Sequence, residues 1–365
     1  MAATRAYLRN AVTEAENIVA QTAERIFADL ADAQTINSDK KGSWKAPLWQ
    51  ALSEAGLPLS WVAEEYGGSG ASLAEGFGVL SAAGRFAIPV PLAETMLAGW
   101  LLSQAKISCP EGAMTLAPSG PKDRITLDAN GTLFGRARGI PFAGEAKHIA
   151  VLAQGDNGKL SIALVDAATC RVESSRNLGG DGNDTVTFDR VTPVAVKPAP
   201  DGSDLSSLLL MGAVARSLQI AGSLETMLEI SVRYSNERVA FEKKISKFQA
   251  VQHNLAKLAG ESAAALAAAT SAADAFATGA SPDAAFLEAA SAKIRCSEAA
   301  EKAAAIAHQV HGAIGFTIEH ILHRYTLRAL AWRDDFGSES YWAVELGRRV
   351  AANGADELWP LVASR

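Results

Sequence analysis

The stretch Gln309–Phe316 reads QVHGAIGF and lies between two stretches of helical pattern. Gly312 and Gly315 lack a Cβ atom, so another group can approach the backbone closely at both positions. Read alone, the stretch is also typical of a helix that ends at a glycine. Its interpretation depends on two further segments, RVAFEKKISKFQ at Arg238–Gln249 and FGSESYW at Phe336–Trp342.

Length and charge restrict the class of protein. The chain has 365 residues, which exceeds one ordinary core, so two or three packed units are expected. The net charge of −6 argues against a nucleic-acid surface, since such a surface is usually basic. We therefore expect no nucleic-acid partner.

The sequence shows no targeting or membrane segment. Residues 1–20 alternate charged and small apolar side chains, which predicts an amphipathic helix rather than a signal peptide. No stretch approaches ~20 uninterrupted apolar residues. Cys109, Cys170 and Cys296 form no CxxC pair. These features predict a cytoplasmic protein with reduced thiols and no membrane partner.

The chain changes character twice. Residues 1–111 carry apolar side chains at helical spacing, interrupted by Gly and Pro clusters, and predict an N-terminal helical domain. Residues 112–200 contain β-prone runs joined by turns such as Asn130–Gly131, and predict a small antiparallel β domain. Residues 201–365 carry long amphipathic helices. The order of helices, sheet and helices indicates the α+β class.

Three segments together resemble the acyl-CoA dehydrogenase superfamily. They are the two C-terminal segments quoted above and GLPLSWVAEEYGGSG at Gly56–Gly70, which is similar to the family's Glu-Glu-Tyr-Gly-Gly turn. With the three-part order, the resemblance covers most of the chain. It implies an N-terminal helical domain, a middle β domain and a C-terminal four-helix bundle. It also implies FAD as the cofactor and an acyl-CoA as the substrate.

The C-terminal segments resemble those that contact the adenosine diphosphate part of FAD across a dimer interface. The matching positions of this chain are Arg238, Phe241, Gln249, Gln309, Gly312 and Ala313. A guanidinium can bind pyrophosphate oxygens, an aromatic ring can pack on adenosine, and a glycine lets backbone N–H groups approach phosphate. Ala240 and Glu242 stand where the family usually has threonine and glycine.

The resemblance fails at the catalytic base. The family's glutamate occupies one of two positions, and the matching residues here are Gly337 and Ala215. Neither side chain can abstract a proton, so we predict no catalytic residue on this chain. Glu339 is a candidate for a displaced base, although a shift of two residues redirects its side chain. Arg216 either faces the active-site cavity or forms a structural salt bridge.

The part of the β domain that holds the isoalloxazine ring in the family is also altered. The matching stretches are TLAPSGPKDR at Thr115–Arg124 and RGIPFAGEAKH at Arg138–His148. Gly139 replaces the usual tryptophan and Pro141 the usual threonine. Proline has neither a hydroxyl nor an N–H to donate.

Three histidines lie in and after the glycine segment. His311, His320 and His323 are spaced nine and three residues apart, which does not provide a compact tetrahedral set of metal ligands. We therefore predict no metal, and we expect these histidines at the surface or at an interface.

Three functions remain open on the sequence. The first is a subunit without the base, which completes the FAD site of a related, glutamate-bearing subunit in a heterotetramer. The resemblance implies such assemblies for bacterial breakdown of steroid side chains, with electron-transfer flavoprotein as the electron acceptor. The second is a self-sufficient homo-oligomeric flavoenzyme that uses Glu339, Glu345 or a substrate group as its base, or needs no α-proton abstraction. The third is a non-enzymatic scaffold of the same fold.

Overall fold

A computed structural model gives the fold and describes residues 17–39, 41–156 and 158–363. The helix predicted for residues 1–20 lies almost wholly outside the described residues. The predicted helical character of the first part of the chain is confirmed. Five α-helices of the described chain precede the sheet: α1 Ile18–Leu30, α2 Ala33–Ser38, α3 Lys45–Glu54, α4 Leu73–Arg85 and α5 Leu92–Gln104.

A sheet of eight strands follows within the described residues. Its strands are β1 Met114–Ala117, β2 Arg124–Leu127, β3 Leu133–Pro141, β4 His148–Gly155, β5 Leu160–Asp166, β6 Arg171–Glu173, β7 Asn183–Val191 and β8 Ala195–Pro198. The hairpin predicted at Asn130–Gly131 joins β2 to β3. The prediction of a purely antiparallel domain is wrong at β4, because β1 and β2 run parallel to it. Strand β4 pairs with β2 rather than with β3, its predecessor in the chain, so β2 and β4 share a direction.

Strand β4 shows why the sheet is buried on both faces. Ala150 and Leu152 pack into the core that the sheet shares with the helices, whereas Ile149, Val151 and Ala153 pack into a second core confined to the sheet. Successive residues of a strand point to opposite faces. A nearly continuous apolar strand is therefore the expected sequence for this position.

Helices form the C-terminal part of the described chain. They are α6 Leu205–Glu237, α7 Gln249–Ala277, α8 Pro282–His311, α9 Leu322–Trp332, α10 Glu339–Asn353 and α11 Leu358–Ala363. Helices α6, α7 and α8 pack on one another, and α9 packs on α6 and α8, which confirms the predicted four-helix bundle. The division of the chain at residues 111 and 200 stays a prediction.

Two glycines bring the N-terminal helices against the bundle. A Cβ atom added to Gly84 of α4 would lie 2.2 Å from the carbonyl oxygen of Gln219, and one added to Gly222 of α6 would lie 2.4 Å from that of Ser81. The two helix backbones are thus in direct contact where they cross. A larger residue at either glycine would push α4 away from α6.

Helix α6 is the central helix of the protein. By length and composition it is apolar enough to cross a membrane, which the sequence alone did not indicate. In the window that meets this test, 83% of the residues are buried inside the protein. Its apolar surface is therefore accounted for by the core.

Candidate functional site

The predicted cofactor-contacting segments meet at one end of the bundle. Arg238 directly follows α6, and Gln249 is the first residue of α7. The ring of Tyr234, in the last turn of α6, stacks on that of His311, the last residue of α8, with centroids 4.4 Å apart. The end of α6, the start of α7 and the end of α8 therefore lie side by side.

A short hairpin presents Phe241 at this end. Strands β9 Val239–Ala240 and β10 Lys243–Lys244 pair across Phe241 and Glu242, whose φ angles are +50° and +65°. Two left-handed residues in a two-residue loop are typical of a type I′ turn, which favours asparagine and glycine. Glu242 therefore occupies a strained position where a glycine is the ordinary choice. Phe241 is 89% exposed, which leaves its ring available to a ligand or a partner.

A groove of about 520 Å³ lies beside the end of α8. It is lined by three predicted positions, Gln309, Gly312 and Ala313. Ala304 and Ala305, one turn earlier on the same face of α8, also line it, and their small side chains leave it open. Gln309 is exposed and can offer its amide to a molecule in this groove.

The two glycines of the segment are required by the chain's own structure. Gly312 ends α8 with φ +65° and ψ −146°, a conformation that is nearly exclusive to glycine. A Cβ atom on Gly315 would lie 2.9 Å from the Cβ of His311. Because helix termination and packing explain both glycines, the cofactor prediction rests on the groove and on the exposed Arg238 and Gln309.

Neither expected base position can present a carboxylate. Ala215 is fully buried within α6. Gly337 has φ +94°, and a Cβ atom there would lie 2.7 Å from both Trp342 Nε1 and Tyr341 Cδ1. Trp342 is itself held in place, since its Nε1 donates a hydrogen bond to the Phe336 carbonyl at 3.1 Å. The space that a glutamate would need at position 337 is filled by packed aromatic rings.

Arg216 is locked in a buried ion-pair network. Its guanidinium donates to Glu94 Oε1 at 2.5 Å, to Asp335 Oδ2 at 2.9 Å and to Gln219 Oε1 at 2.6 Å. Arg216 is 2% exposed, so it forms the structural salt bridge rather than facing a cavity. Burial raises the pKa of Glu94, while the charge of Arg216 opposes that shift.

Lys293 of α8 lies close enough to this network to feel the charges of Asp335 and Arg216. It is fully buried, and its Nζ donates to the Trp332 carbonyl at 2.5 Å. Burial lowers the pKa of Lys293 to about 7. Glu94 and Lys293 were not singled out on the sequence. Glu94 is the one charged residue of the apolar helix α5, which is a possible signal, whereas Lys293 lies among other charged residues of α8 and gives none.

The alternative carboxylates lie in ion pairs away from that network. Glu339 begins α10 and pairs with Arg333 at 3.5 Å. Glu345 pairs with Arg348, three residues further along the same helix. Both acids are placed as partners of neighbouring arginines, and neither lines a described cavity.

Hydroxyls of the β domain are used within the sheet. Thr115 Oγ1 donates to the Pro141 carbonyl at 2.7 Å, and Ser119 Oγ donates to the Gly139 carbonyl at 2.9 Å. Gly139 has φ +65° at an irregularity in the pairing of β3 with β7. These are the stretches that resemble the family's ring-binding strands, and their hydroxyl hydrogens already have acceptors.

His311 was expected at the surface or at an interface, and this expectation is wrong because the residue is only 4% exposed within the chain itself. Its Nδ1 lies 2.7 Å from the Ala307 carbonyl, and burial lowers its pKa to about 4. The rings of Tyr234 and His320 pack against His311 and bury it, which the sequence did not reveal. In the described part of the chain, no three His, Cys, Asp or Glu side chains come together as a metal site.

Comparison with known proteins identifies the family. The model of the acyl-CoA dehydrogenase N-terminal domain matches residues 13–105, and that of the acyl-CoA dehydrogenase C-terminal domain matches residues 204–346. The chain belongs to the acyl-CoA dehydrogenase family. This family consists of oxidoreductases that act on acyl-CoA with FAD as cofactor.

Similar proteins include an acyl-CoA dehydrogenase and a complex of two named chains. Acyl-CoA dehydrogenase IpdE2 of Mycobacterium tuberculosis is 29% identical over 283 residues, which are 77% of this chain and 80% of the relative. The ChsE4–ChsE5 complex from Mycobacterium tuberculosis matches with a TM-score of 0.83 and 23% identity, over 94% of this chain and 99% of that one. A variant of the Tcur3481–Tcur3483 steroid ACAD matches with a TM-score of 0.80 and 25% identity, over 92% and 97%.

Proposed function

We propose that this chain is the subunit without a base in a heteromeric, FAD-dependent acyl-CoA dehydrogenase. It completes the FAD site of a related subunit that carries the glutamate. The observation that carries the proposal is the backbone at Gly337, where a left-handed φ and two packed aromatic rings leave no room for a carboxylate. Ala215, the other base position, is buried in the core.

The reaction needs a base and a hydride acceptor beside the same pair of carbons. When bound, the flavin supplies the acceptor for the β hydride, and a carboxylate must remove the α proton. This chain provides no such carboxylate at either family position. The partner subunit therefore supplies the base, and this chain contributes binding and orientation of the cofactor.

The described residues fit one half of FAD and not the other. The Arg238 guanidinium would bind the pyrophosphate, Phe241 would pack on the adenosine, and Gln249 and Gln309 would donate their amides, all from the exposed end of the bundle. On the ring side, Thr115 and Ser119 donate to carbonyls of β3. The chain thus suits binding of the adenosine diphosphate part of FAD, in a site whose isoalloxazine-binding part lies in the partner subunit.

The substrate is proposed to be a bulky acyl-CoA of the steroid side-chain type. The substrate proposal rests on one matching structure, which is a steroid ACAD. A second matching structure, a complex of two different chains, supports a heteromeric assembly. We further propose a cytoplasmic α2β2 heterotetramer with electron-transfer flavoprotein as the electron acceptor.

Co-expression tests the function directly. The chain should be produced alone and together with a candidate partner, an acyl-CoA dehydrogenase chain that carries the glutamate. Each product is then examined for mass, bound flavin and acyl-CoA-dependent dye reduction. We expect a heterotetramer with flavin and turnover only when both chains are present. Full activity from the isolated chain would overturn the proposal.

Arg238 separates a cofactor-binding subunit from a scaffold. Arg238→Ala in the complex should weaken FAD binding by about 1–3 kcal/mol, because a charge-assisted hydrogen bond is lost. Lys41→Ala, which removes an exposed cation from the N-terminal part of the chain, is the matched control and should leave FAD binding unchanged. Unchanged binding in the Arg238 variant would favour the non-enzymatic scaffold.

A further inference from the structure

The two cofactor-contacting segments are joined by one aromatic contact. Tyr234 lies one turn before Arg238, whose backbone N–H donates to the Tyr234 carbonyl at 2.9 Å. His311 is directly followed by Gly312, which ends α8. The rings of Tyr234 and His311 are stacked, with centroids 4.4 Å apart and planes inclined by 24°. The stack therefore connects the start of the Arg238 segment with the end of α8.

His311 is held in a defined orientation by its own helix. Its Nδ1 lies 2.7 Å from the Ala307 carbonyl, which can only accept, so Nδ1 carries the proton and donates. Its Nε2 is buried and has no partner among the described residues. His320 closes the cluster from the side, with its ring centroid 4.8 Å from that of His311 and 6.1 Å from that of Tyr234.

The groups around this stack disfavour a second proton on His311. On α8, His308 lies one turn before it, and His320 and His323 approach from the start of α9. From α6, Arg233 acts on His320. All of these groups are basic. Burial and the charges of His320 and His308 all disfavour a cationic His311, so the neutral ring belongs to the native packing.

We propose that Tyr234 and His311 are positioning residues that fix Arg238 and the Gln309–Ala313 segment relative to each other, so that both engage the same dinucleotide. This inference rests on the proposed function and adds to it how this chain pre-assembles its half of the site. Neither ring needs to touch the cofactor. Pre-assembly lowers the cost of binding, because the two segments are ordered before the ligand arrives.

The stack also predicts release of the cofactor by acid. Protonation of His311 places an unpaired charge between Tyr234 and His320, which favours separation of the rings. Since burial lowers the pKa of His311 to about 4, the effect should appear well below neutral pH. Arg238 and Gln309 would then lose their fixed relation together.

Two substitutions at His311 separate stacking from simple folding. His311→Phe keeps a flat ring in the stack but cannot be protonated, whereas His311→Ala removes the ring. His253→Ala, at an exposed histidine of α7, is the matched control. Amide hydrogen exchange of the full chain should speed up in the alanine variant at residues 238–245 and 312–316 together. At neutral pH the phenylalanine and His253 variants should behave as wild type. On acidification the phenylalanine variant should lack the rise in exchange that wild type shows.

FAD retention by the two-subunit complex provides the second readout. His311→Ala should weaken FAD binding about two- to ten-fold, the weight of one aromatic pair, and His311→Phe should restore it. Independent exchange at the two segments, or a phenylalanine variant as impaired as the alanine variant, would overturn the inference. If Arg238→Ala weakens FAD binding and His311→Ala does not, the positioning role is overturned and the proposed function stands. If neither does, the proposed function fails as well.

Discussion

Replacing Gly337 by glutamate would place a carboxylate at a position that we match to the family's base, and we expect the variant to be less stable and no more active. The left-handed backbone at φ +94° costs a residue with a Cβ atom about 1–2 kcal/mol. The Cβ atom would also lie 2.7 Å from Trp342 Nε1 and Tyr341 Cδ1, and overpacking of this kind costs about 1–3 kcal/mol. The free energy of unfolding should therefore fall by about 2–5 kcal/mol, already for Gly337→Ala.

A glycine ten residues further on gives a matched control. Gly347 lies within α10, is exposed and has nothing within 4 Å of an added Cβ atom. Gly347→Ala should leave stability unchanged or raise it by up to about 1 kcal/mol, because alanine favours the helix. Urea unfolding followed by tryptophan fluorescence measures all three variants, and dye reduction with acyl-CoA measures activity. A Gly337→Glu chain as stable as wild type and active in isolation would refute the reasoning.

Three further substitutions test individual contacts, each by thermal or urea unfolding. Lys293→Met should stabilise the chain by about 2–3 kcal/mol at pH 7, since the gain of about 4–5 from removing a buried amine exceeds the cost of an unpaired Trp332 carbonyl. The pKa of Lys293 is lowered from 10.5 to about 7, so the unfolded chain binds more protons than the folded chain between those pH values. Wild-type stability therefore rises with pH in this range, and the gain from Lys293→Met should shrink towards pH 10. A gain that does not change with pH would contradict this reasoning. Glu242→Gly should add about 1 kcal/mol by relieving a left-handed φ, and a loss of stability would count against the strained turn. Asp181→Asn removes the carboxylate that accepts two hydrogen bonds from the buried Arg328 guanidinium, at 2.7 and 2.9 Å. The free energy of unfolding should fall by about 3–5 kcal/mol, because the buried guanidinium is left without its counter-charge. A fall of less than about 1 kcal/mol would show that this ion pair contributes little to stability.

The fold was predictable from the sequence because its signals are local. Apolar residues at helical spacing, turns such as Asn130–Gly131 and motifs in the family's order indicated the helices, the sheet and the bundle. The direction of β4 was not predictable, because it depends on which earlier strand β4 pairs with. That choice is made by tertiary packing.

The candidate site was predictable as a set of residue types and not as a set of contacts. The resemblance predicts that Gly337 and Ala215 match the family's base positions, but the sequence could not show that packed rings occupy the space beside Gly337. Arg216 was left open between a cavity and a salt bridge, and its partner Glu94 lies 122 residues away. Glu94 can be recognised as a partner only once α5 and α6 are packed together.

Gly312 and Gly315 were ambiguous sequence signals. They suggested a backbone approached by a cofactor, and both are explained by the end of α8. The groove beside Gln309 and the exposed Phe241 are features of the folded chain. Tyr234 and His311 are 77 residues apart, so no local pattern could have paired them.

The most direct measurement compares the flavin content and the acyl-CoA-dependent dye reduction of three samples: this chain alone, the glutamate-bearing partner subunit alone, and the two co-purified. We predict stoichiometric FAD and turnover only in the co-purified complex, with turnover abolished by removing the partner's glutamate. An isolated chain that binds FAD in full and reduces the dye at the rate of the complex would contradict the proposal that its half of the site serves a partner.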